Sequence, residues 1–167
     1  MKLYILRHGL AGDSGTAAYP NDADRPLTAE GKSKMRDIAR AMKGLGLELD
    51  LILSSPYARA RQTAEIVAEK LGSQKKLHFS DFLTPDGSAK HLIEFLNQRR
   101  PRAETILLVG HEPHLSGLIS LLISGDGRAS ILLKKGGLAK LSAEFLSPGH
   151  CANLNWLLTP KQMSFMG

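Results

Sequence analysis

Residues 104–116 read ETILLVGHEPHLS, and this stretch decides the fold. Its first seven residues form the clearest buried strand of the chain, an apolar run closed by Gly110. Pro113 then opens a helix that stays strongly apolar to about Ile123. A buried strand feeding a helix after so short a turn is the repeating unit of a parallel sheet covered by helices.

The same unit recurs outward in both directions. KLYILR (2–7) is a first strand, rich in β-branched and aromatic residues. After a polar loop, Thr28 is placed as an N-cap, and Glu30 stands in the first turn, where helices favour negative charge. Met35, Ile38, Ala39, Met42 and Leu45 follow helical spacing until Gly44 and Gly46 end the run. DLILSS (50–55) is a second strand; Pro56 fits position N1 of a helix marked by Ala60, Ala64, Val67, Ala68 and Leu71 and stopped by Gly72. LHFS (77–80) is a weaker strand, followed by the helical face Ala89, Leu92, Ile93 and Leu96. The tail changes character: GLAKLSAEFL (137–146) and CANLNWLL (151–158) alternate partially, as antiparallel strands at a sheet edge do. No linker or repeat divides the chain. The expectation is a single α/β domain over residues 1–167: a three-layer sandwich with a mainly parallel central sheet, helices on both faces and an antiparallel edge. Binding sites in such sheets lie at the carboxyl ends of the strands.

Composition narrows the function classes. One cysteine, Cys151, allows no internal disulfide and suits a reducing compartment. The longest apolar stretch, LSGLISLLIS (115–124), is too short to span a bilayer, and no secretory leader pattern opens the chain. A soluble, cytoplasmic protein is expected. The net charge of +6 invites a nucleic-acid reading, but the 22 Lys and Arg are scattered and only 5% of residues are aromatic, too few for base stacking. A basic field of this kind also favours an anionic substrate.

Three strand ends carry the chemistry. Arg7 and His8 end the first strand, SSPYARARQTAE (54–65) follows the second with Arg59 and Arg61, and GHEPHLS (110–116) brings His111. Two arginines and two histidines on one rim make an anion site, and the planar guanidinium fork suits phosphate. A neutral imidazole among them can act as a nucleophile toward phosphorus. Arg61, two residues beyond Arg59, points elsewhere on a helix and is expected at the surface.

LRHG, SSPYARARQTAE and VGHEP together resemble the three signature segments of the histidine phosphatase superfamily, which includes the phosphoglycerate mutases. The order and the elements agree over most of the chain. The resemblance implies a phosphoglycerate-mutase-like fold, with His8 as a transiently phosphorylated nucleophile and Arg7, Arg59 and His111 holding phosphoryl oxygens. Leu10-Ala11-Gly12 departs from the polar residues that follow RHG in the mutases, and FSDFLTPDG (79–87) offers only Asp81 and Asp86 where those relatives carry a glutamate acid. RHGLA, DADRPLTAEG (22–31), LTPDG and GHEPHLS resemble instead the small SixA-type phosphohistidine phosphatases. That branch implies a shallow, open site that takes phosphohistidine borne on a phosphotransfer protein. A phosphohistidine ring can be protonated from solvent and leave as neutral imidazole, which reduces the demand for an enzyme acid.

Gly9, Arg25 and Glu112 are further candidates for substrate contact. For Arg25 the alternative is a salt bridge pinning the long loop that it shares with Asp24; for Glu112 it is a structural or solvated carboxylate. GKS at 31–33 lacks the first glycine of a P-loop, and HEPH at 111–114 lacks zinc-site spacing. Cys151 has no downstream arginine of a cysteine-phosphatase loop and is expected to be structural. His78, His91 and His150 are unclustered. No metal or cofactor is expected, and neither a nucleic acid nor a membrane partner; the protein is expected to be a monomer. The rival readings are a small-molecule phosphomonoesterase or mutase, and a phosphate-binding module without catalysis.

Overall fold

A computed structural model describes residues 1–167. Six strands, β1 (Lys2–Arg7), β2 (Leu51–Ser54), β3 (Leu77–Phe79), β4 (Thr105–Gly110), β5 (Leu138–Ala143) and β6 (Ala152–Leu158), form one sheet in the order β3-β2-β4-β1-β5-β6. The pairs β2–β3, β2–β4 and β1–β4 are parallel, while β1–β5 and β5–β6 are antiparallel. The helices are α1 (Ala29–Gly44), α2 (Ala58–Leu71), α3 (Ala89–Gln98), α4 (His114–Ser124) and α5 (Pro160–Ser164). The fold is the three-layer α/β sandwich, with the antiparallel edge supplied by the tail.

Strand alternation builds two cores. Leu3 and Ile5, Leu51 and Leu53, Ile106 and Leu108 face α3 and α4, packing on Leu92, Ile93, Leu96, Leu115, Leu118 and Ile119. Tyr4 and Leu6, Ile52, Leu107 and Val109 face α1 and α2, against Met35, Ile38, Ala39, Ala60, Ala64 and Val67. Leu108 is fully buried; truncating such a leucine to alanine costs about 2–5 kcal/mol. No helix is long and apolar enough to cross a membrane.

Local signals explain most boundaries. Thr28 caps α1, its hydroxyl accepting from Gly31 N–H at 2.9 Å. At Gly31 a Cβ would lie 2.1 Å from the Leu10 carbonyl oxygen, so the helix can pass this close to residue 10 only without a side chain. Two boundaries differ from expectation. Pro56 is not at N1: α2 begins at Ala58, because Ser55 N–H pairs with the Val109 carbonyl and Ser55 Oγ accepts from Tyr57 N–H, which holds residues 55–57 in a turn. Helix α5 lies beyond the last expected element. It carries a capping box between Thr159 and Gln162 with Pro160 in the first turn, and buries Met163 in the α1–α2 core.

The β1–β4 register sets Arg7 beside Gly110. His8 and His111, one residue further along each strand, therefore emerge side by side at the carboxyl edge.

Candidate active site

His8 leaves β1 on the α1–α2 face, and its backbone N–H donates to the Gly110 carbonyl at 3.1 Å. Its Nδ1 lies 2.7 Å from the Gly9 carbonyl oxygen. A carbonyl only accepts, so the ring proton is on Nδ1 and the lone pair on Nε2. Arg59 Nε–H donates to that Nε2 at 3.3 Å. Burial pushes the imidazole pKa down to about 3; the charges of Arg59, Arg7 and Lys135 push the same way, and the Gly9 carbonyl opposes them. His8 is thus a neutral imidazole with a defined tautomer and a directed lone pair.

Gly9 fixes this geometry with both of its backbone groups. Its carbonyl takes the His8 proton, and its N–H donates to Thr63 Oγ1 at 3.1 Å. A Cβ there would come within 2.7 Å of the Met35 side chain, so glycine lets the strand end settle against α1.

Arg59, in the first turn of α2, is only 4% exposed. Besides reaching His8, it donates from Nη1 to the Asp22 carbonyl at 2.8 Å and from Nη2 to Asp22 Oδ2 at 2.9 Å. Desolvation works against ionisation of Asp22, but hydrogen bonds from Arg25 and Arg59 outweigh it and hold the carboxyl below its usual range.

His111 is 1% exposed, its ring centroid 5.0 Å from that of His8. Its Nε2 lies 2.8 Å from Ser55 Oγ, and the edge of Tyr57 packs beside it at 5.2 Å. Ser55 Oγ, while accepting from Tyr57 N–H, can still donate its hydrogen to His111 Nε2, and in that tautomer the imidazole proton is on Nδ1. Burial lowers the His111 pKa to about 3, with His8 and Arg59 contributing in the same direction.

Arg7 starts on the opposite face of the sheet. Its Nη1 donates to the Leu133 carbonyl at 3.0 Å, and it bears on His8 through charge rather than a hydrogen bond. The buried side-chain polar atoms without a protein partner are Arg7 Nε, His111 Nδ1 and the two ring nitrogens of His114. Two of these four atoms belong to residues that the family resemblance implies for the phosphoryl group.

The structure thus brings His8, Arg59 and His111 together, with Arg7 acting on His8 electrostatically. Arg25 is held within its loop, and Glu112, whose charge bears on Arg7, spends one oxygen on α4. Arg25 pairs with Asp22 at 2.8 Å and donates to the Gly12 carbonyl at 2.6 Å, so it pins its loop; Asp24 is exposed and forms no ion pair. Glu112 Oε1 accepts from Ser116 N–H at 2.9 Å, capping the first turn of α4. Asp22, Ser55 and Thr63 were missed from sequence. Each lies within a quoted segment, and only the spacing of Asp22 three residues before Arg25 hinted at a pairing. The reactive side chains sit below the rim, not on an open one, because Asp22 and Tyr57 pack over Arg59 and His111. No cluster of three or more His, Cys, Asp or Glu is placed to hold a metal ion.

The family model of the histidine phosphatase superfamily (branch 1) matches residues 3–83. An uncharacterized protein of Picosynechococcus sp. is 37% identical over 163 residues, 95% of this chain and 96% of its own length. Phosphohistidine phosphatase SixA of Escherichia coli K12 is 30% identical over 127 residues, 75% of this chain and 76% of SixA. A solved structure of the protein histidine phosphatase SixA complexed with tungstate superposes with a TM-score of 0.80 at 27% identity, covering 96% of this chain and 98% of that one. Sequence identity extending over three quarters of both chains, on a common fold, makes this chain a member of the histidine phosphatase superfamily and a homologue of SixA.

Proposed function

We propose that the protein is a phosphohistidine phosphatase, acting on a phosphohistidine carried by a phosphotransfer protein through a phosphoenzyme at His8. In the first step the His8 Nε2 lone pair attacks phosphorus while the bond from phosphorus to the substrate imidazole breaks. The leaving ring, protonated by solvent on its other nitrogen, departs neutral. Arg59, Arg7 Nε–H and His111 Nδ1–H take the phosphoryl oxygens, supplying the positioned positive charge on which phosphoryl transfer depends. Phosphorylation makes the His8 ring cationic, and the Gly9 carbonyl at its Nδ1–H favours that form. Water then attacks phosphorus, the bond to Nε2 breaks, and His8 returns to its starting tautomer with release of inorganic phosphate.

The observation that carries this reading is that each carboxylate near the intact nucleophile already holds a protein partner. Asp22 is shared between two arginines and Glu112 caps α4. An alkoxide leaving group needs a placed proton donor, whereas a neutral imidazole does not. Similarity to SixA supports the same substrate class.

The test compares kcat/KM for a phosphohistidine-bearing protein with a panel of sugar and glycerate phosphates. The expected result is a strong preference for phosphohistidine. Equal efficiency with 3-phosphoglycerate or a sugar phosphate would move the protein to the phosphomonoesterase branch.

A further inference from the structure

We infer that Asp22 is a positioning residue for the phosphoryl site, acting through Arg59. The inference rests on His8 and Arg59 forming that site, as proposed above, but not on which phosphorylated compound is turned over.

A guanidinium carries five N–H groups in a fixed plane, so two held nitrogens fix where the third points. Asp22 holds both terminal nitrogens of Arg59, Nη1 with its backbone carbonyl and Nη2 with Oδ2. The remaining nitrogen, Nε, then faces His8 Nε2. Without this hold, a long, flexible side chain would have to be ordered by the substrate itself, and that ordering opposes binding. Asp22 also supplies the counter-charge that a guanidinium buried this deeply requires.

Asp22 is itself held in place. Its Oδ1 accepts from Arg25 Nε at 3.2 Å and Nη2 at 2.8 Å, so its two carboxylate oxygens serve one arginine each. Arg25 Nη1 ties the group to the Gly12 carbonyl, four residues past His8. Asn21 Oδ1 accepts from Ala23 N–H at 3.2 Å and shapes the short 3-10 turn, Asp22–Asp24, that presents the carboxylate. The Asp22 side chain is 46% exposed, so core packing does not account for its placement. Gln62 Oε1 accepts from Leu27 N–H at 2.8 Å, so the far end of the loop is tied independently to α2.

Two other roles for Asp22 make opposite predictions. A carboxylate that merely occupies Arg59 until substrate arrives would compete with the anion, and removing it would tighten binding. A carboxylate that only pins the loop would act whether or not Arg59 is present.

The experiment measures tungstate affinity by titration calorimetry, together with kcat/KM on the phosphohistidine protein, for wild type, Asp22→Ala, Asp22→Asn, Arg59→Ala and the double variant Asp22→Ala/Arg59→Ala. Asp22→Ala is expected to weaken tungstate binding and lower kcat/KM by about 10- to 100-fold, the range for losing a charge-assisted hydrogen-bond pair. Asp22→Asn, which keeps an acceptor for Nη2, should recover part of the loss. The double variant should be no worse than Arg59→Ala alone. Unchanged or tighter tungstate binding in Asp22→Ala overturns the inference, as does an additive loss in the double variant. Tungstate is a tetrahedral oxyanion that needs no turnover, so a wild type that binds it yet ignores phosphohistidine would refute the proposed substrate and leave this test decisive.

Discussion

The ends of β1 and β4 lie side by side at one sheet edge and each delivers a histidine, yet the two imidazoles are wired in opposite senses. His8 gives its Nδ1 proton to a main-chain carbonyl and keeps its Nε2 lone pair toward Arg59. His111 is anchored through Nε2 to Ser55 and leaves Nδ1 without a protein partner. In the proposed mechanism the first arrangement serves a nucleophile and the second a donor. Burial makes both neutral, so the neighbour on each ring nitrogen, not the charge state, divides the roles.

The sharpest way to break this comparison is to remove each ring. His8→Ala should bring turnover to the detection limit, a loss of about 10⁴-fold or more. The fold should survive, since Leu3 to Leu6 still pack β1 from both faces. Wild-type enzyme quenched during turnover should carry an acid-labile, base-stable phosphoryl group at His8, detectable by mass spectrometry. Substantial residual activity in the alanine variant would refute the nucleophile assignment. His111→Ala should cost less, about 10²–10³-fold in kcat, as expected for one donor to the developing charge. Phosphoenzyme should still form, slowly. Equal and total losses in both variants would erase the distinction.

A pH series tests what the two histidines share. Both are held near a pKa of about 3 in the fold, whereas an unfolded chain would titrate them near about 6.5. Between those values the unfolded state binds more protons, so the stability contributed by keeping them neutral is complete above about pH 6.5 and is lost as pH falls toward 3. Denaturant midpoints should therefore drop from pH 7.5 to pH 5, and the drop should shrink in His111→Ala. The acid limb of kcat/KM, which reports the free enzyme, should lie well below pH 6.5. A limb at 6.5 would show that His8 is not desolvated as described. The smallest effect is expected from Ser55→Ala. It strands His111 Nε2 without its partner while touching neither nucleophile nor arginine, and should lower kcat/KM by on the order of 10-fold. A loss as large as that of His111→Ala would mean that Ser55 contacts the substrate directly.

The legible part of the molecule was the part written in local patterns. Alternating apolar residues in KLYILR and TILLVG, helical spacing from Met35 to Met42, and the caps at Thr28 and Gly72 each act over a few residues, so the sheet and four of its helices could be read directly. Helix α5 escapes a sequence reading although its Thr159-Pro160 start is a local signal, because the helix is only five residues long and its burial comes from docking on α1. At the site, the residue types at three strand ends were visible, and so was the motif likeness that joined them.

By itself, then, the sequence determined the two-faced strands, their order with the helices, and the supply of imidazole and guanidinium groups at the strand ends. Only the tertiary structure decided which atoms of those groups are committed. Arg59 meets His8 across 51 residues, Asp22 meets Arg59 across 37 and Ser55 meets His111 across 56. A tautomer, a depressed pKa or a steered guanidinium depends on which atoms lose water and which partner replaces it. That is settled through space, once packing has brought distant segments into contact.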